Sequence, residues 1–163
     1  MDKPQVDDSK VNKAGPDNED DLILSERNFK LFWDTMGRGV VYHDERGMPI
    51  LMNPAAEKIL GQSLQELQNW TNPQIKDKTI REDGSNVKLS EHPVMVALKT
   101  GREVHGEALG VFNHREKAFR WINVSATPLF KPGETKPYRV YTIIEDITER
   151  KQSREASFPP TDK

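Results

Sequence analysis

At 163 residues, 34% of them hydrophobic, the chain holds one packed domain with polar tails and is too short for two ordinary domains. Its 24 basic and 26 acidic side chains leave a net charge of −2, which gives bulk electrostatics no means of holding nucleic acid directly. Cysteine is absent, which excludes disulfides, thiolate metal sites, iron–sulfur clusters and cysteinyl–flavin photochemistry together.

Residues 1–21 carry Asp2, Asp7, Asp8, Asp17, Glu19, Asp20 and Asp21 against Lys3, Lys10 and Lys13, with only Val6 and Val11 as aliphatics larger than alanine. So little apolar surface cannot form a core, and residues 1–24 are expected to be a disordered acidic tail. The tail lacks the hydrophobic stretch of a signal peptide. No run in the chain approaches the ~20 apolar residues that span a bilayer, so a cytoplasmic protein without membrane contact is expected.

Ser25 is placed to cap a helix in which Phe29, Phe32, Trp33 and Met36 recur at helical spacing, with Gly37 and Gly39 ending it. Residues 40–44 and 49–52 read as two short strands joined by the turn Asp44-Glu45-Arg46-Gly47. Asn53 caps residues 54–60, with Pro54 in the first turn, and Ser63 caps residues 64–68. Residues 69–92 are polar and irregular, with a turn at Glu82-Asp83-Gly84-Ser85. A helix over 93–99 stops at Gly101, and three longer strands follow at 103–113, 118–129 and 138–145. The last strand runs without a turn residue into Asp146, which stands three residues before Glu149, the spacing of an N-cap and its reciprocal partner. The helix begun at Thr148 meets Pro159 and Pro160, which stop it, and residues 152–163 are expected to be a disordered tail. These elements make an α+β fold, a five-stranded antiparallel sheet with helices inserted between strands 2 and 3 and a helix at each end.

Four stretches, in this order, carry a family resemblance. Residues 39–61 (GVVYHDERGMPILMNPAAEKILG) resemble the opening of PAS sensor domains, a hairpin followed by Asn-x-Ala-Ala-Glu and a short helix ending in Gly. Residues 92–101 (HPVMVALKTG) resemble the PAS helix before the long strands, and residues 121–129 (WINVSATPL) the next-to-last strand. Residues 138–151 (YRVYTIIEDITERK) resemble the strand-to-helix exit with its EDITER-like signature. The resemblance covers residues 25–151 and implies a sensor module of bacterial or archaeal signalling proteins.

It also implies a pocket between the sheet and the inserted helices. On residues 120–127, Ile122, Val124 and Ala126 form the apolar row that should face it. The same alternation turns Val140, Thr142 and Ile144 inward, with Ala108, Gly110 and Phe112 from the preceding strand and Val41 and His43 from the first. Val41, His43, Phe112, Ile122, Val124, Thr142 and Ile144 are therefore candidate ligand-binding residues for a small, mostly apolar molecule. The alternation by itself specifies an ordinary core before it specifies a ligand. Trp121 falls on the outer face, where Phe32 and Trp33 of the leading helix would cover it.

His43 brings a polar ring into an apolar row, where it would bond a ligand or sense pH, or would simply sit half-exposed at a strand end. Haem-binding relatives use a histidine from the region of His92, but His92 opens its helix instead of lying within it, so haem is not the expectation. His105 and His114 read as solvated, and no His, Asp and Glu cluster has metal-ligand spacing. The light-sensing branch of the family uses an Asn-Cys-Arg motif, and the corresponding residues 72–78 (NPQIKDK) have no cysteine. Ile122 and Ile144 stand where flavin-binding members place amides, which argues against non-covalent flavin. No cofactor is the expectation.

The resemblance assigns signal transmission to Asp146 and Thr148, with Arg120 or Arg139 as the basic partner of the aspartate. Phe29, Phe32, Trp33 and Trp121 are the aromatic anchors of an expected interface. The expected protein is a non-enzymatic signalling module, a homodimer or the partner of a histidine kinase or regulator, with transcription regulation one destination. The Met1 start and the acidic tail favour a single-domain partner over a piece of a longer protein. The alternatives are a small pocket enzyme and a haem- or flavin-binding redox sensor. His43 and Asp44 are the available proton-transfer pair, but adjacent strand residues point to opposite faces, so no catalytic residue is assigned.

Overall fold

Asn53 shows how local sequence starts this sheet. In the computed structural model, which describes residues 19–69 and 79–157, its side chain is fully buried between the first strand and the first inserted helix. Oδ1 accepts from the Ala56 amide at 3.0 Å, capping α2 (Pro54–Leu60), and from the Val40 amide at 2.8 Å in β1 (Gly39–His43). Nδ2 donates to the Arg38 carbonyl at 2.9 Å. One carboxamide thus satisfies a helix end and a strand start together. Pro54 opens α2 and Gly61, in the left-handed region, closes it.

Six strands form one antiparallel sheet in the order β2-β1-β6-β5-β4-β3, where β2 is Pro49–Met52, β3 Thr79–Ile80, β4 Val104–Asn113, β5 Ala118–Leu129 and β6 Arg139–Asp146. The sequence gives five strands. Two residues, Thr79 and Ile80, add the sixth by pairing with Val111 and Gly110 at the β4 edge. A pair so short has no periodicity to reveal it. α2, α3 (Leu64–Gln68) and α4 (Pro93–Thr100) are inserted between the hairpin and the long strands, and α4 packs on β4, β5 and β6. Ser63 caps α3 through the Glu66 amide at 3.1 Å. Val41, Met52, Ala56, Ile59, Val87, Leu109, Ile122, Val124 and Ile144 form the main core, and Ala97, Ala126 and Val140 a second cluster under α4.

Compact packing divides the chain between Asp34 and Thr35. α1 (Glu19–Thr35) spans nearly all of the first unit's described residues. It begins six residues before Ser25, so Ser25 is interior to the helix and not its cap. The expected tail over 1–24 is helical from Glu19, while residues 1–18 lie outside the described residues. Glu19, Asp20 and Asp21 occupy the first turn, where carboxylates complement the positive end of the helix dipole, and Leu22, Ile23 and Leu24 continue it. At the other end α5 (Thr148–Ser157) carries the helix through the first half of the segment read as a tail from 152. Residues 158–163, which include the prolines, lie outside the described residues.

Candidate functional site

A pocket of about 640 Å³ opens between the sheet and the inserted helices. Its back wall is β5 and β6. Ile122 pairs with Asp146, Val124 with Ile144 and Ala126 with Thr142, so the side chains of Ile122, Val124, Thr142 and Ile144 share one face and line the pocket. Val41 and His43 join them from β1, opposite Thr142 and Val140. Ala126 and Val140 share this face but are covered by Ala97 of α4.

β4 presents the other row from the one its sequence suggests. Leu109 pairs with Ile122 and Val111 with Arg120, so Leu109 and Val111 line the pocket, whereas Ala108 and Gly110 pair with Asn123 and Trp121 on the outer face. A β-bulge between Val104 and Glu107, with Gly106 at φ +47°, is the cause. Val104 packs inward against the α4 cluster, and alternation counted from it would select Ala108, Gly110 and Phe112. The extra residue of the bulge shifts that row by one. Phe112 still borders the pocket, although its register partner is Phe119 and the two rings meet edge to face at 5.4 Å.

The β1–β2 turn and the start of α4 both line the pocket and pack against each other. Gly47, at φ +89°, approaches so closely that a Cβ there would lie 2.7 Å from the sulfur of Met95. Asp44 holds the turn by accepting from the amides of Arg46 and Met48, both at 2.9 Å. His43, half-buried, has Nδ1 3.2 Å from the Gly47 carbonyl oxygen and Nε2 3.4 Å from Thr142 Oγ1. Burial pushes its pKa down to about 4, against smaller opposing effects of the Gly47 carbonyl and Asp44. The ring is neutral at physiological pH.

Three of the four histidines border the pocket. His92 does so from the N-cap of α4, and His114, expected to be solvated, does so half-buried from the β4–β5 turn. His105 is exposed, 3.3 Å from Glu103. Among the described residues no group of three His, Asp or Glu side chains could hold a metal ion, and no helix is long and apolar enough to cross a membrane. The residues 72–78 that carry the missing cysteine motif lie outside the described residues. Leu60, Gln62 and Thr79 also line the pocket and escape sequence reading, since a helix end, a loop residue and a two-residue strand carry no alternation.

Beyond the pocket wall, the next same-face positions on β5 and β6 are Arg120 and Asp146, and their side chains pair at 2.8 Å. Asp146 does not form the reciprocal cap with Glu149 that its spacing suggests. Its Oδ1 accepts from the Thr148 amide two residues on, at 2.9 Å, because Oδ2 is turned to Arg120. Partial burial opposes ionisation of Asp146, but the bonds from Thr148 and Arg120 outweigh it and hold the carboxyl below its ordinary range. Hydrogen bonding to Glu116, then to Asp146, strengthens the Arg120 guanidinium's hold on its proton. Thr148 ties α5 to β5: its hydroxyl accepts from the Trp121 amide at 2.9 Å and donates to the Trp121 carbonyl at 3.3 Å. Lys151 of α5 lies over the Trp121 ring, 4.3 Å from its centroid.

This fold recurs in solved structures. The PAS domain of a Colwellia psychrerythraea protein matches 78% of this chain and 99% of its own, at 21% identity and a TM-score of 0.53. The chain has a PAS fold. A Rhodobacter sphaeroides LOV protein shares it at 16% identity and a TM-score of 0.55, over 83% of this chain and 73% of that one. Among curated proteins, the sensor histidine kinase TmoS of Ectopseudomonas mendocina is 24% identical over 134 residues. That match takes in 82% of this chain, and the chain spans only 13% of the kinase. No protein-family model matches the chain. In this chain β5 and β6 form the pocket's back wall, and α5 follows β6 and is tied to β5 through Thr148.

Proposed function

We propose that the chain is a non-enzymatic PAS sensor module in which an occupant of the pocket biases the position of α5. The observation that carries this reading is the continuity of one sheet face. Ile122 and Ile144 line the pocket, and the next inward residues on the same strands, Arg120 and Asp146, form the ion pair whose aspartate holds the Thr148 amide. A molecule that shifts the wall by a few tenths of an ångström acts on that pair, and α5 has two hydroxyl bonds to gain or lose. Val41, His43, Phe112, Ile122, Val124, Thr142 and Ile144 are the proposed ligand contacts, and Asp146 and Thr148 the proposed transmitters.

The proposed output is contact with a second copy or with a cytoplasmic signalling protein such as a histidine kinase or regulator. The aromatic face of α1, with Phe29 and Phe32 60% and 61% exposed and Phe29 stacked on Trp33 at 6.1 Å, is one proposed surface. The outer sheet face at Trp121 is another. Similarity to part of a sensor kinase supports a signalling role.

Native mass spectrometry with an absorbance spectrum on the same sample reports oligomeric state, bound mass and any haem or flavin chromophore. The coupling itself is tested by hydrogen exchange on Val124→Trp, which fills the pocket from its back wall. Faster or slower exchange of the α5 amides is expected. Exchange in α5 identical to the wild type, with the pocket filled, would reject the module as a sensor. A turnover abolished by His43→Ala with oligomerisation intact would replace it with an enzyme.

A further inference from the structure

Among the described residues that line the pocket, Gln62 carries a fully buried polar atom without a partner. It sits just past the C-cap of α2 and is only 5% exposed. Its Oε1 has no hydrogen-bond partner among the described residues. A buried acceptor without a donor is unfavourable, and a rotation of the flexible side chain toward a donor in the pocket relieves it. The Thr142 hydroxyl and the His43 ring, by contrast, are engaged. Thr142 Oγ1 lies 3.4 Å from both the Val41 carbonyl oxygen and His43 Nε2, and His43 Nδ1 faces the Gly47 carbonyl.

The charge around the pocket restricts the ligand further. Asp44 and Arg46, the Asp, Glu, Lys or Arg side chains that border it among the described residues, both belong to the β1–β2 turn, and Asp44 Oδ1 accepts from two turn amides. Leu60, Leu109, Val111, Ile122, Val124 and Ile144 make the interior wall. An ion carried past this turn to the apolar wall would lose its hydration and meet no counter-charge among the described residues.

From these observations we infer that the pocket takes a neutral, largely hydrocarbon molecule bearing one N–H or O–H donor, with Gln62 Oε1 as the residue that selects the donor. The inference rests on the pocket being the sensor's input, and it adds the ligand's chemistry. A pocket of this size admits ligands up to drug size, and a bicyclic ring is a minimal occupant.

Matched probes test it on the full chain. Indole and benzothiophene have nearly the same shape, and only indole carries an N–H; indole-3-carboxylate adds a negative charge. Calorimetric titration of the wild type is expected to show indole bound about tenfold more tightly than benzothiophene, with the carboxylate weakest. Gln62→Leu is expected to abolish or invert that preference while leaving benzothiophene binding intact. Gln62→Met, a closer isostere, serves the same comparison if the leucine variant fails to fold. Equal binding of indole and benzothiophene by the wild type, or an unchanged preference in the folded variants, overturns the role of Gln62 and leaves pocket sensing standing. Tightest binding of the carboxylate overturns the neutral ligand. Binding of none of the three at millimolar concentration overturns the ligand class, and the α5 exchange of Val124→Trp then decides separately whether the pocket is an input at all.

Discussion

Arg120 and Asp146 are 26 residues apart in the chain and 2.8 Å apart in the fold, on the inward face just beyond the pocket wall. The pair does two jobs, since the same carboxylate that holds the guanidinium also accepts the Thr148 amide at 2.9 Å. Asp146→Asn keeps an oxygen for that amide and removes the charge. A loss of about 1–2 kcal/mol at neutral pH is expected, as for a partly buried ion pair. The pH dependence follows from the direction of the shift. The folded pKa of Asp146 lies below the unfolded value, so its stabilisation is complete above the ordinary carboxylate range and is lost as pH falls through the folded value. Urea unfolding at pH 7 should therefore separate wild type from variant, and the gap should close in acid. A gap of constant size would mean the charge pair contributes nothing.

Thr148 isolates the attachment of α5 from the ion pair. Thr148→Val keeps the shape and removes both hydroxyl bonds to Trp121, leaving a partly buried amide unpaired. That change is expected to cost about 1–3 kcal/mol locally. Hydrogen exchange should quicken through α5 while β4 and β5 stay protected, because the core does not depend on the helix. Uniform quickening across the sheet would show that α5 belongs to the cooperative core and is unsuited to move by itself.

Gly61 tests the joint between α2 and the sheet. It closes α2 at φ +66°, and a Cβ there would overlap the Asn113 carboxamide. Asn113 is itself committed, donating to the Ile59 carbonyl at 3.2 Å and accepting from the Arg115 and Glu116 amides, both at 3.0 Å. Gly61→Ala should combine backbone strain with the displacement of this network, for a total of roughly 2–4 kcal/mol. Chemical denaturation measures it, and a loss under about 0.5 kcal/mol would show that the carboxamide gives way freely.

What could be read from the sequence followed the range of the interactions. Asn53 and Gly61 are legible because caps act over three or four residues, and Ile122, Val124, Thr142 and Ile144 because β5 and β6 alternate without interruption. The facing row of β4 is hidden by the bulge at Gly106, whose displaced register only the pairing with β5 reveals. Ser25 reads as a cap because it precedes the aromatic residues, yet the helix starts among the acidic residues Glu19, Asp20 and Asp21. The Arg120 partner of Asp146 was one of two candidates, since nothing local says which arginine lies across the strand. Gln62 gave no signal at all, as an unpaired oxygen exists only in three dimensions.

His43 supplies a prediction that needs no ligand. Its imidazole titrates near 4 in the folded state because burial in the pocket wall penalises the charged ring, whereas an unfolded histidine titrates near 6.5. Above that unfolded value both states are neutral and folding carries no proton cost. As pH falls from 6.5 toward 4 the unfolded chain takes up a proton that the folded one refuses, so stability drops across this window and levels off below it. Each tenfold difference in proton affinity is worth about 1.4 kcal/mol, which puts the full effect at about 3 kcal/mol. His43→Gln should flatten the slope between pH 6.5 and 4, and the wild-type His43 ring protons should shift in NMR spectra only as pH approaches 4. A ring that titrates near 6.5 in the folded protein would mean that it turns out to solvent and leaves the pocket wall.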